Sequence, residues 1–163
     1  MLMNLTRHSL AAAVALSVLG SLGCGGKPPK PEPDPTVVRL DLVADASANI
    51  DARGRATPVV LRYYLLQSTS AFEGADYFSL YDRDEALLGA ARIQREELIL
   101  VPGHTRSVEL RPSGEANFLG VFVAYREVNK TLWRATNAIP QNKTSKYVVL
   151  VGRNGVSISS VTP

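Results

Sequence analysis

Apolar and polar positions alternate in short runs from Thr36 onward. Val37 to Ala44, VVRLDLVA, puts Val38, Leu40, Leu42 and Ala44 on one face and Arg39 and Asp41 on the other, the period of a half-buried strand. Asn49, Asp51, Gly54 and Pro58 then mark a loop. Pro58 to Leu66, PVVLRYYLL, is rich in β-branched and aromatic residues and reads as a central strand opening at its proline. Between Ser68 and Ala91 the period changes. Phe72, Ala75, Phe78 and Leu80 approximate helical spacing, and Asp84-Glu85 looks like a charged helix start, so one or two short helices are expected there.

Extended character returns at Ile93 to Val101. Pro102-Gly103 is a turn signal, and Ser107 to Leu110 is expected to pair back across it. Ala116 to Tyr125 is a long apolar strand whose Gly120 marks a bulge or a close approach. Thr131 to Ala135, Lys146 to Val151 and Val156 to Val161 complete the set, with Asn154-Gly155 as a hairpin turn. Seven or eight short strands at this spacing predict a mainly β protein, an antiparallel β-sandwich with a short helical insertion.

The chain before Thr36 has a different character. Met1 to Ser9 carries Arg7 and no acid, Leu10 to Leu19 is apolar apart from Ser17, and small residues follow, the pattern of a secretory signal. The run is short for a bilayer span of about 20 residues. The single cysteine, Cys24, has no internal partner for a disulfide. Its surroundings resemble a bacterial lipobox: Gly23 fits, while Ser21 and Leu22 differ from the usual pattern. The expectation is cleavage after residue 23 and acylation of Cys24, against ordinary cleavage with a chance cysteine. Several acyl chains at about 0.8 kcal/mol per buried methylene would hold such a protein on a membrane, and Gly25 after the cysteine favours the outer one. Gly25 to Pro35 has five prolines in eleven residues. Such a segment is extended and semi-rigid, reaching about 30 Å at roughly 3.1 Å per residue. The expected organisation is therefore 1–23 signal, 24–35 lipidated cysteine and tether, and 36–163 sandwich domain.

Charge changes the picture little. Of 18 Lys and Arg against 15 Asp and Glu, the signal removes one Arg, leaving 17 against 15. These charges are scattered, without the basic and aromatic interleaving of nucleic-acid surfaces. Candidate chemistry is equally thin. His104 is the one histidine outside the signal and lies in a turn, and a zinc site would want more His and Cys than the chain has. Asp82, Asp84 and Glu85 lack the glycine and terminal acid of a calcium loop and read as a helix N-terminus. Adjacent Glu96 and Glu97 point to opposite faces of a strand. Asn129-Lys130-Thr131 and Asn142-Lys143-Thr144 match glycosylation acceptors by accident of composition, and Trp133 is read as core filler. No catalytic residue, metal or cofactor is expected beyond the lipid on Cys24.

The order of these features resembles the TssJ (SciN) family of type VI secretion lipoproteins. The matching pieces are Ala46 to Asp51, Gly54 to Leu66, Phe72 with Asp76-Tyr77-Phe78 and Leu80, Leu100 to Gly103, Leu119 to Arg126, and Trp133-Arg134. The resemblance implies a transthyretin-like β-sandwich with a helical excursion and a non-catalytic role. It implies an outer-membrane lipoprotein on the periplasmic face that anchors the periplasmic part of TssM (IcmF-like), with TssL in the same complex. It also places partner contacts in the loop between the first two strands, here Asn49, Ile50, Asp51, Ala52, Arg53, Gly54, Arg55, Ala56 and Thr57. Within that loop Arg53 and Arg55 are the expected polar contacts. A generic periplasmic binding lipoprotein is the alternative, and an exposed sheet edge offers a second route to a partner.

Overall fold

Strand β1, Val37–Ala44, buries Val38, Leu40, Leu42 and Ala44 and exposes Arg39, as its alternation requires. The computed structural model describes residues 30–161, so Cys24 and the segment expected to be a signal lie outside the described residues. After β1 come β2 (Val59–Leu66), α1 (Ser70–Gly74), α2 (Tyr77–Leu88), β3 (Arg92–Leu100), β4 (Thr105–Leu110), β5 (Phe118–Val123), β6 (Arg134–Ala138), β7 (Thr144–Val151) and β8 (Val156–Val161). They form two four-stranded sheets, ordered β4-β1-β7-β8 and β3-β2-β5-β6. The expected sandwich with a helical insertion is the observed one.

Strand β2 is buried along nearly its whole length because both its faces are covered. Val59, Leu61, Tyr63 and Leu65 join the core between the sheets. Tyr64 and Leu66 join a second cluster with Phe72, Leu80, Leu88 and Phe122, beneath the helices. Gly120 of β5 marks a close approach: a Cβ there would lie 2.9 Å from Leu66 Cδ1 and 3.3 Å from Phe72 Cζ.

Three details of strand pairing and bounds depart from the sequence expectations. β4 pairs with β1, not with β3 across the turn. The turn itself is as predicted, since His104 N–H donates to the Val101 carbonyl at 3.0 Å and Gly103 has φ of 78°, as a type II turn requires. It crosses between sheets because Gly103 N–H is taken by the Ala44 carbonyl at the end of β1. Second, β1 and β7 are parallel, the exception in otherwise antiparallel sheets. Third, β6 spans Arg134–Ala138 rather than Thr131 to Ala135, and Leu132 bridges to Gly155 instead.

Asp84 is also relocated. Helix α2 starts at Asp76, whose carboxylate accepts the Ser79 N–H at 2.9 Å. Asp84 lies past a kink where Arg83 leaves helical geometry (φ −137°, ψ 30°). Its carboxylate instead accepts Tyr64 Oη–H and Arg95 Nε–H, both at 2.8 Å. Arg62, on the same sheet face, donates to Glu97 at 2.6 Å and to the Tyr81 carbonyl at 2.7 Å, with its guanidinium over the Tyr81 ring. Arg134 donates to the Phe72 and Ala75 carbonyls at 2.9 and 2.6 Å. Arg134 thus takes carbonyl groups at the C-terminal end of α1, and Arg62 one just before the kink of α2. The insertion is thereby clamped to the β3-β2-β5-β6 sheet.

Candidate functional site

Strand direction sorts the connections into two poles. At one pole β1, β3, β5 and β7 end and β2, β4, β6 and β8 begin. The connections gathered there are 45–58, 101–104, 124–133 and 152–155. The chain enters β1 at the other pole, where Thr36 Oγ1 accepts Asn142 N–H at 2.9 Å and Val37 N–H donates to the Lys143 carbonyl at 3.1 Å. Eight residues of strand separate the two, about 26 Å at roughly 3.3 Å per residue.

The 49–57 loop is built by its own side chains. Asn49 is buried with φ of 50°, a left-handed conformation that Asn tolerates. Its amide nitrogen donates to the Pro58 carbonyl at 2.9 Å and to Thr57 Oγ1 at 3.0 Å, and Thr57 returns a bond to the Asn49 carbonyl at 2.7 Å. Ile50 and Ala56 form an antiparallel bridge. Asp51 organises the tip: one carboxylate oxygen accepts the Arg53 and Arg55 N–H groups, both at 2.9 Å, and the other accepts Arg55 Nε–H at 3.0 Å. The backbone N–H of Arg55 is the main cause holding the Asp51 carboxyl below its ordinary value. Gly54, at φ of 77°, closes the turn with its N–H on the Asp51 carbonyl at 2.9 Å. Ala52, Arg53, Gly54 and Arg55 are exposed.

The two arginines thus differ. Arg55 is committed to Asp51, with a 2.8 Å ion pair. Arg53 is exposed and makes no ion pair among the described residues.

The other connections bind this loop to the sandwich. Arg126 N–H donates to Asn49 Oδ1 at 3.0 Å and Arg126 Nε–H to Thr57 Oγ1 at 3.2 Å. Tyr125 Oη–H donates to the Gly152 carbonyl at 3.0 Å, joining the two sheets, and burial pushes its hydroxyl pKa up. Between these loops lies a shallow cleft of about 270 Å³, lined by Ile50, Asp51, Tyr125, Lys130, Arg153 and Asn154 among others. That is below the roughly 300–1,000 Å³ of small-ligand pockets.

The sequence singled out the 49–57 loop but not the contacts around it: Arg126 and Leu132 meet residues of other connections, far away along the chain. Among the described residues no group of three or more His, Cys, Asp and Glu could hold a metal. His104 is exposed at its turn, with Nδ1 3.2 Å from the Pro102 carbonyl oxygen. Glu97 meets Arg62 and Arg95, while Glu96 opposes Tyr63. Trp133 packs partly buried between both clusters, its ring 4.5 Å from the Arg134 guanidinium carbon.

A two-sheet sandwich, with four of its connections including the 49–57 loop at one pole and a helical insertion clamped to one face, defines a loop-presenting scaffold. The chain belongs to the type VI secretion lipoprotein family (VasD, EvfM, TssJ), whose profile matches residues 36–154. It is 32% identical to the type VI secretion lipoprotein TssJ1 from Pseudomonas aeruginosa, with a TM-score of 0.77, covering 79% of this chain and 98% of that one. The fold is also that of Lip from Serratia marcescens, a membrane-bound component of the type VI secretion system, at 23% identity and a TM-score of 0.72, covering 79% and 99%. A structure of the TssM C-terminal domain from EAEC contains a similar chain, at 24% identity and a TM-score of 0.60, covering 78% and 99%. No curated protein sequence matches significantly. Members of this family are structural lipoprotein components of the secretion system.

Proposed function

We propose that this chain is the outer-membrane lipoprotein of a type VI secretion membrane complex. A lipid on Cys24 holds it on the periplasmic face, and the Pro-rich tether carries the sandwich away from the membrane. The opposite pole binds the periplasmic C-terminal region of TssM through Asn49–Thr57, with TssL in the same assembly. Its role is to anchor, without catalysis or cofactor.

The polarity of the sandwich carries this reading. The chain enters β1 at one pole and the 49–57 loop lies at the other, so a membrane behind and a partner ahead would not compete for surface. A loop held by internal hydrogen bonds also has little order left to gain on binding, which favours recognition. The similar chain in the TssM C-terminal domain structure is consistent with TssM as the partner.

Co-purification of the full-length lipoprotein with the TssM protein encoded near it tests the reading. A complex that weakens about tenfold in Arg53→Glu is expected. Arg53 is the informative position, because Arg55→Glu would also break the loop's own Asp51 contact. Absence of a wild-type complex would sink the scaffold role; a wild-type complex unaffected by Arg53→Glu would sink the loop assignment. Cys24→Ser should move the protein out of the membrane fraction, and its retention there would contradict the lipid anchor.

A further inference from the structure

Leu132 is 73% exposed, more than any other large hydrophobic side chain among the described residues. Exposed leucines are common and exposure alone means little. What sets Leu132 apart is its backbone. Its N–H donates to the Asn154 carbonyl at 3.0 Å and its carbonyl accepts Val156 N–H at 2.8 Å, bridging it to Gly155. A Cβ on Gly155 would fall 2.6 Å from Leu132 Cβ and 2.7 Å from its carbonyl oxygen, so glycine alone permits this approach. The backbone is pinned on both sides while the side chain is held out into solvent. A side chain presented this way costs little backbone entropy on binding.

The charge beside it is unbalanced. Across the cleft, Asp51 is taken by Arg55 at 2.8 Å and Glu127 by Lys130 at 3.2 Å. Arg153, which lines the same cleft, is exposed and has no ion pair among the described residues. In the connections of this pole the guanidinium groups of Arg53 and Arg126 likewise form no ion pair among the described residues. Against these three cations stands one acid outside an ion pair, Asp45, whose carboxylate accepts the N–H and hydroxyl of Ser47. A second copy of this chain docking pole to pole would bring cations to cations.

We propose that the recognition surface extends past Asn49–Thr57, across the cleft, to Leu132 and Arg153. It takes an acidic segment of the protein partner, with one apolar side chain packed on Leu132 and a carboxylate on Arg153. This inference rests on the scaffold reading above and adds the chemistry of the segment recognised.

The test measures binding of the detergent-solubilised full-length lipoprotein to the purified periplasmic region of its TssM, for the wild type, Leu132→Ser and Arg153→Glu. Each variant is expected to bind about tenfold more weakly with an unchanged melting temperature. Wild-type affinity is expected to fall several-fold from 50 to 200 mM salt, as screened exposed charges require. Variants within twofold of a binding wild type overturn the inference and leave the scaffold reading intact. A wild type that does not bind overturns both. A loss confined to Leu132→Ser, or salt-independent binding, overturns the acidic character of the segment. Self-association in sedimentation that Leu132→Ser abolishes reassigns the surface to a second copy and overturns the proposal.

Discussion

Asn49 and Arg126, 77 residues apart, meet across the loop pole: the Asn49 side-chain oxygen accepts the Arg126 backbone N–H at 3.0 Å. The bond ties the β1–β2 loop to the chain leaving β5. With its amide nitrogen on Pro58 and Thr57, the same side chain closes the loop onto its own base. A left-handed backbone and a short amide are both needed there.

Asn49→Ala should therefore cost about 2–4 kcal/mol, from unpaired buried polar groups at roughly 1–3 kcal/mol each and a left-handed alanine at roughly 1–2 kcal/mol. Urea denaturation measures it. Asn49→Gly, which accepts the conformation without making the bonds, should be less harmful than alanine, and equal losses would show that conformation adds nothing.

Arg62 joins sheet and insertion, and its residue is only 8% exposed. Arg62→Ala should cost about 3 kcal/mol, the lower end for breaking a buried pair, because Arg95 still serves Asp84 and Glu97. Hydrogen exchange should rise in α2 more than in β1 or β7. Arg62→Lys keeps the charge without the planar fork and should recover only part of the loss. Full recovery would mean that charge alone holds the insertion.

Gly120→Ala should destabilise by about 1–3 kcal/mol, as overpacking does. The atoms met belong to Leu66 and Phe72, which are both fully buried and have nowhere to move. An unchanged melting temperature would show slack in the layer beneath the helices.

Acid should loosen the 51–55 tip. Hydrogen bonding from Arg55 and Arg53 keeps the Asp51 carboxyl below its ordinary 3.8, and Arg62 does the same for Glu97 below 4.5. A depressed carboxyl contributes stability that is complete above its unfolded pKa and lost as the pH falls through the lower folded value. Melting temperature should thus be little changed by these two groups from pH 7 to about 5 and decline below that. Glu97→Gln should flatten part of the decline, and Arg53 and Arg55 amides should lose protection at the acid end.

Most strands were legible because they cover one face in period two, or, in β2 and β5, are covered on both faces and read as a continuous apolar run; β6, Arg134–Ala138, was not, since RATNA shows no such alternation. Partner choice was not. The Pro102-Gly103 turn is the same local object whether it joins neighbours in one sheet or crosses between sheets, and only the Ala44 carbonyl decides. Parallel pairing of β1 with β7 leaves no mark on either strand. Asp84 looked like a helix start because its tertiary partners, Tyr64 and Arg95, lie 20 and 11 residues away. Of the candidate site, the tip from Asp51 to Arg55 is local and was readable. Leu132 was not, since its placement depends on Gly155 in another hairpin.

Strand β1 lies between β4 and β7, hydrogen-bonded to both, and is the first strand of the domain. In the proposed role, a pull between residue 36 and a partner held at the far pole would run along its axis. The ladders on its two sides are then loaded in shear, all bonds together, rather than peeled one at a time. A strand at a sheet edge, with one ladder, would yield sooner. The buried N-terminal strand thus makes the domain a mechanical link, and single-molecule extension from residue 36 against the loop pole should record a higher rupture force than extension from Val161, the end of edge strand β8.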